Sequence, residues 1–289
     1  MRFRSLWVPA ALVVALAVAW SGASNPAVAS AVAPGTANFL VSGELTQGGW
    51  VKGTVPSGTT TLTLAGKPVA FARDRVFFAA FDRDAPPTAV LVATLADGRS
   101  LTQLLAITPR AWRIENINVA RTPGKGPTEA FMQIRRPELA RIAAARRTES
   151  DSEGWRQRFI WPAKGRLSGL FGSQRVYRGE PASYHSGTDI ATGTSGTPFV
   201  APADGVVVLA AATPFTLEGH LLMIDHGMGL NSAFLHCSAL LVKEGDRVRQ
   251  GQVIGRIGAT GRATGPHLHW SIKWRDARLD PILFTGPMR

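Results

Sequence analysis

The chain has 289 residues, enough for one large domain or two ordinary ones. Its 32 Lys and Arg against 20 Asp and Glu give a formal charge of +12, and a single cysteine excludes any disulfide within the chain. Its domains must therefore be held by apolar cores, and the position of that cysteine, Cys237, excludes a lipid anchor on a processed N-terminal cysteine.

In chain order, the first 29 residues carry Arg2 and Arg4, an apolar run from Leu6 to Trp20, and small residues ending Ala27-Val28-Ala29. That pattern predicts a cleaved signal peptide at 1–29. The run is shorter than the roughly 20 residues a spanning helix needs, so no membrane anchor is expected after cleavage, and the mature chain is expected in the periplasm or outside the cell. Loss of Arg2 and Arg4 lowers the charge from +12 to +10, and a cationic exported protein suits an anionic surface such as a cell wall or membrane. Twenty-six of the 32 basic residues are Arg, with no dense basic run, and no nucleic-acid partner is expected.

Residues 37–120 read as a small β-sandwich-like domain. "TTTLTLAG" and "KPVAFARDRVFFAAF" alternate apolar and polar residues, and Asp97-Gly98 marks a hairpin in "TAVLVATLADGRSLTQLLAI". This region has no histidine, no clustered carboxylates and no phosphate loop, so a structural or binding role is expected. Residues 121–158 read as a linker and short helix: "RTPGKGPTE" is Pro/Gly-rich, and in "RPELARIAAARRTESD" Pro137 suits the first helical position with Glu138 in the first turn. Residues 159–286 read as a second domain, again β-rich, making the chain mainly β with an antiparallel C-terminal sheet.

All six histidines lie between His185 and His269. In "HLHWSIKW" a strand places His267 and His269 on one face, with Leu268 and Trp270 on the other. Upstream, "YHSGTDI" sets His185 four residues before Asp189, with Gly187 allowing a tight path between them. Two imidazoles and a carboxylate suit a catalytic zinc ion, which keeps a fourth position for water. Cys237 directly follows His236 and on a strand would face away from it, as a small buried hydrophobe. A zinc-bound water needs a proton acceptor, and without a His-Glu-x-x-His motif the natural candidates are His236 and His267.

"HSGTD", "FLHCS" and "GRATGPHLHW", in this order, resemble the three signature motifs of lysostaphin/LytM-type zinc metallopeptidases, which cleave peptidoglycan peptides. "GTPFVAPADGVVVLA", "LLMIDHGMGL" and "VKEGDRVRQGQVIGRIGATG" resemble the same family's framework. The resemblance implies zinc held by His185, Asp189 and His269, with His236 and His267 catalytic. It also implies a secreted endopeptidase acting on stem or cross-link peptides, D,D-cross-links in particular. Where the family commonly has Phe-Glu after His-x-His this chain has Trp270-Ser271, which predicts altered contacts around the ligand and no lost zinc. By the same resemblance Arg175 is a substrate-side candidate and His226 lies in a framework motif, while His220 in "LEGHLLMI" is expected to begin the strand before it.

Two other classes share parts of this pattern. The Val/Ile strands also resemble biotinyl or lipoyl carrier domains, but Lys164, Lys243 and Lys273 do not sit at the required hairpin tip, and a carrier has no use for the histidines. The alternative within the family is a non-catalytic peptidoglycan-binding regulator of other wall hydrolases, which would lack metal ligands. The N-terminal domain is expected to bind a regulatory partner, to dock over the cleft, or to tether the chain to the wall.

Overall fold

The computed structural model describes residues 39–119 and 128–288. The expected signal peptide and the Pro/Gly stretch at 121–127 lie outside the described residues. Among the described residues no helix is long and apolar enough to cross a membrane.

Strands dominate, as the alternating patterns imply. The N-terminal region contributes β1 (Leu40–Glu44), β2 (Trp50–Thr54), β3 (Thr59–Leu64), β4 (Lys67–Val69), β5 (Val76–Ala80), β6 (Thr88–Leu95) and β7 (Ser100–Ala106). They form one sheet in the order β1-β2-β5 and another in the order β4-β3-β6-β7. The Asp97-Gly98 turn joins β6 and β7, with Gly98 at φ +84°, a left-handed conformation glycine adopts freely. Along β6 Ala89, Leu91, Ala93 and Leu95 are buried while their neighbours are not, the period-2 burial of a half-covered strand.

After β8 (Ile114–Ile117) comes α1 (Glu129–Arg147). Here the structure corrects the sequence reading. The helix has 19 residues, and Pro137 lies inside it. The start is set upstream, where the Thr128 hydroxyl accepts a hydrogen bond from the Phe131 backbone N–H and Glu129 occupies the first turn. The local proline signal loses to this cap and to buried contacts further along the helix.

The C-terminal region follows with β9 (Arg166–Gly169), β10 (Gln174–Tyr177), β11 (Glu180–Pro181), β12 (Thr188–Ala191), β13 (Pro198–Val200) and β14 (Gly205–Ala210). Then come β15 (His220–Asp225), β16 (Leu230–Leu240), β17 (Arg247–Val248), β18 (Val253–Ile257), β19 (Leu268–Trp274), β20 (Ala277–Leu279) and α2 (Ile282–Thr285). The main sheet runs β17-β14-β15-β16-β19-β12-β9, with β13, β18 and β20 branching from it, and all its pairings are antiparallel.

The two β-rich regions share a core. Trp50 and Phe78 meet Phe284 at ring separations of 5.8 and 6.4 Å, and Phe78 meets Trp274 at 6.3 Å. β8 pairs in parallel with β10, so the segment just before the linker is already part of a C-terminal sheet. Arg83, almost fully buried, donates through Nε and Nη2 to the Gly172 carbonyl at 3.2 and 3.0 Å.

Candidate metal centre

The core fixes the site by alternation. On β19, Leu268, Trp270 and Ile272 are buried in the apolar core, which turns His269 to the opposite face. On β12 the fully buried Thr188 and Ile190 do the same for Asp189. The ladder sets Asp189 directly opposite His269, and Asp189 Oδ1 lies 2.8 Å from His269 Nδ1. His185 arrives from the preceding loop, whose backbone pairs with Gly172 and Ser173. Its Nε2 stands 3.1 Å from both Asp189 Oδ1 and His269 Nδ1. Gly187 is required between them, since a Cβ there would stand 2.7 Å from His269 Nε2 and 2.5 Å from the Trp270 carbonyl oxygen.

His185, Asp189 and His269 thus present three ligand atoms within 4.8 Å of one another, a group able to hold a metal ion. His185 Nδ1 donates to the Leu170 carbonyl at 3.1 Å, which leaves Nε2 as the ring nitrogen facing Asp189. A ligating histidine is commonly oriented by such a bond.

Electrostatics follow from burial and pairing. Burial opposes the charged carboxylate of Asp189, but hydrogen bonds from His185 and His269, then their charges, outweigh it and hold Asp189 well below the usual carboxylate range. For His185 burial is outweighed by Asp189, and its pKa rises. His269 is more deeply enclosed, so burial prevails and its pKa falls.

His236 and His267 stand beside this group, their rings 4.9 Å apart. His267 Nε2 is 3.9 Å from Asp189 Oδ1, and its Nδ1 donates to the Gly265 carbonyl at 2.8 Å. His236 Nδ1 donates to the Thr260 carbonyl at 2.8 Å. Burial, with the like charges of His267 and His269, lowers the pKa of His236 and favours the neutral ring. The backbone at His236 has φ +65° and sits where β16 carries one residue more than β15, between the pairs Leu222–Phe234 and His220–Cys237. This β-bulge lets consecutive residues Leu235 and His236 line the same cleft, which strict alternation forbids.

The cleft has a volume of about 420 Å³ and brings all five sequence-predicted residues together. Its lining also includes Tyr184, Leu217, Glu218 and Arg262, which the sequence motifs do not single out. All of its lining residues lie between Tyr184 and His269, so no described residue of 39–119 is among them. Arg175 is not among the lining; it donates to Glu115 Oε2 at 2.9 Å. Cys237 is fully buried in the apolar core, where burial pushes its thiol up to about 12. His226 is also fully buried, donating from Nδ1 to the Asp204 carbonyl at 2.7 Å and accepting at Nε2 from the Ser232 hydroxyl at 2.8 Å. His220 opens β15 and donates to the Ala211 carbonyl at 3.0 Å.

The family model for Peptidase family M23 matches residues 183–281. Peptidoglycan DD-endopeptidase ShyA from Vibrio cholerae is 38% identical over 133 residues, covering 46% of this chain and 30% of the relative. DD-carboxypeptidase/endopeptidase Mpg from Neisseria meningitidis is 38% identical over 126 residues, covering 42% and 27%. This chain thus spans less than a third of the length of these curated relatives. A crystal structure from Pseudomonas aeruginosa described as a peptidase M23 aligns with TM-score 0.63 and 29% identity, covering 85% of this chain and 96% of that one. All three signature segments that build the cleft, around His185–Asp189, His236 and His267–His269, fall inside the matched span, and residues 183–281 form a peptidase family M23 domain.

Proposed function

We propose that this chain is a zinc-dependent endopeptidase that hydrolyses peptide bonds in peptidoglycan stem or cross-link peptides, D,D-cross-links in particular. It acts in the periplasm or outside the cell after removal of a signal peptide ending at Ala29. The observation that carries the reading is the convergence of two imidazoles and a carboxylate at 2.8 to 3.1 Å, with two further imidazoles beside them in one cleft.

His185, Asp189 and His269 would hold the zinc. Ligand atoms about 2.1 Å from a tetrahedral metal stand roughly 3.4 Å apart, close to the separations of these three, and among the described residues no cysteine or second carboxylate joins the set. When bound, zinc supplies a Lewis acid that acidifies water towards a pKa of about 7 and polarises a carbonyl.

Proton movement falls to the two neighbouring imidazoles. With Nδ1 committed to the Thr260 carbonyl, neutral His236 keeps Nε2 as its basic nitrogen, able to accept the proton of the attacking water. His267, oriented through Gly265, offers its Nε2 for hydrogen bonding to the developing oxyanion and for proton delivery to the leaving amine. A non-catalytic wall-binding regulator has no need of this complete set.

The test is incubation of the full mature chain, loaded with zinc, with purified sacculi, followed by mass spectrometry of the muropeptides. Cross-linked dimers should convert to monomers cut at the D,D bond, and Asp189→Ala should stop the conversion. Dimers left intact by the zinc-loaded wild type would overturn the proposal.

A further inference from the structure

Glu218 lines the cleft, but its carboxylate is already engaged. Arg135 of α1 grips it with both terminal nitrogens, Nη1 to Oε2 at 2.6 Å and Nη2 to Oε1 at 2.7 Å. The same Nη1 donates to Glu138 Oε2 at 2.9 Å. Glu138 in turn accepts the Thr216 backbone N–H and the Thr216 hydroxyl, each at 2.7 Å. One and a half turns on, the Arg141 guanidinium lies over the Phe215 ring at 5.3 Å. One helix face therefore holds residues 215, 216 and 218 together.

The composition of that face is unusual for a docked helix. A surface helix normally buries an apolar stripe. Of the three buried residues of α1, two are Arg135 and Glu138, 7% and 8% exposed, and the third is Ala145. Buried ion pairs recover little more than their own desolvation, so stability alone is a poor reason for this arrangement. A bidentate guanidinium–carboxylate pair does fix direction, because its two parallel bonds allow one relative orientation.

What the held segment touches is His236. The Glu218 carbonyl accepts the His236 backbone N–H at 2.8 Å, while the Thr260 carbonyl accepts the ring Nδ1–H at 2.8 Å. His236 has φ +65°, a conformation that a non-glycine residue keeps only when its surroundings impose it. One side of that constraint is the segment that α1 grips.

We propose that Arg135 and Glu138 are positioning residues for the proposed reaction: through Thr216 and Glu218 they lock the strained backbone of His236 and so aim its ring. The inference rests on the role given to His236 above. It also assigns the helix next to the linker a part in the cleft.

The experiment uses the full mature, zinc-loaded chain with Arg135→Gln, Arg135→Lys and Glu138→Gln. Hydrogen exchange is followed at the amides of His236 and of Ile224, which lies in the same sheet. Exchange should accelerate at His236 and stay unchanged at Ile224. In turnover of cross-linked muropeptides, kcat should fall by up to about 100-fold with KM and zinc content unchanged, since small misplacements of a reacting group can cost that much. Lys, which keeps the charge without the fork, should give an intermediate kcat. Should Arg135→Gln fail to fold, the Lys and Glu138→Gln variants carry the same readouts. Unchanged exchange at His236, or a kcat loss that tracks loss of zinc, overturns the inference. A wild type inert towards muropeptides overturns the proposed function instead, and the exchange measurement still decides this one.

Discussion

Asp189 and His269 are direct partners across β12 and β19, and Asp189 Oδ1 meets His269 Nδ1 at 2.8 Å. With His185 joining both at 3.1 Å, removal of any one donor leaves a two-point site. Asp189→Ala and His269→Ala are therefore expected to purify without stoichiometric zinc and without activity. Metal analysis by mass spectrometry checks this; full zinc occupancy in either variant contradicts the ligand assignment.

The other two imidazoles behave differently. His236→Ala and His267→Ala leave the three ligand atoms in place, so both should retain zinc while losing about 10² to 10⁴ in rate, the scale of a positioned acid or base. Steady-state turnover beside zinc content separates the two roles. Near-normal turnover in both variants would remove them from the mechanism.

His226 gives a prediction about stability. Complete burial pushes its pKa down to about 4, although its Nδ1–H is hydrogen-bonded to the Asp204 carbonyl. The unfolded chain binds this proton near the ordinary value of about 6.5, so stability is fully present above that pH and is lost as pH falls towards 4. The loss amounts to about 3 kcal/mol. Urea unfolding of the metal-free wild type and His226→Gln between pH 4 and 7 should show a steeper decline in the wild type. Equal slopes would mean that the buried imidazole is not the proton-linked group.

A fragment beginning at Gly154 loses Trp50 and Phe78 from the aromatic cluster that also contains Trp274 and Phe284. It also loses both Arg83 hydrogen bonds to Gly172, whose N–H is bonded to the His185 carbonyl. The fragment should melt below the full chain and turn over soluble muropeptides no faster, because no described residue of 39–119 lines the cleft. Thermal melts and matched turnover assays decide it. A faster fragment would restore the occluding role expected of the N-terminal region.

Much of the site was legible because its physics is local. Alternation in "HLHWSIKW" needs only the pleat of a strand to put His267 and His269 on one face, and the apolar partners Leu268 and Trp270 say which face is buried. Gly187 between His185 and Asp189 marked a close approach, and the Trp270 carbonyl and the His269 ring are what it approaches. The confinement of every histidine to residues 185–269 pointed to one chemical region, and the structure places four of the six in a single cleft.

Other features had no local signature. The bulge at His236 exists because β15 and β16 differ by one residue in register, a property of two strands paired in space. The start of α1 at Glu129 overrode the proline signal because the Thr128 cap and the buried Arg135 and Glu138 act together. The grip of Arg135 on Glu218 spans 83 residues of sequence. Periodicity along a chain decides which face of an element is apolar, whereas only the packed structure decides which distant charge meets that face. Here local pattern marks the residues capable of the chemistry, and packing between distant elements fixes how firmly each one is aimed.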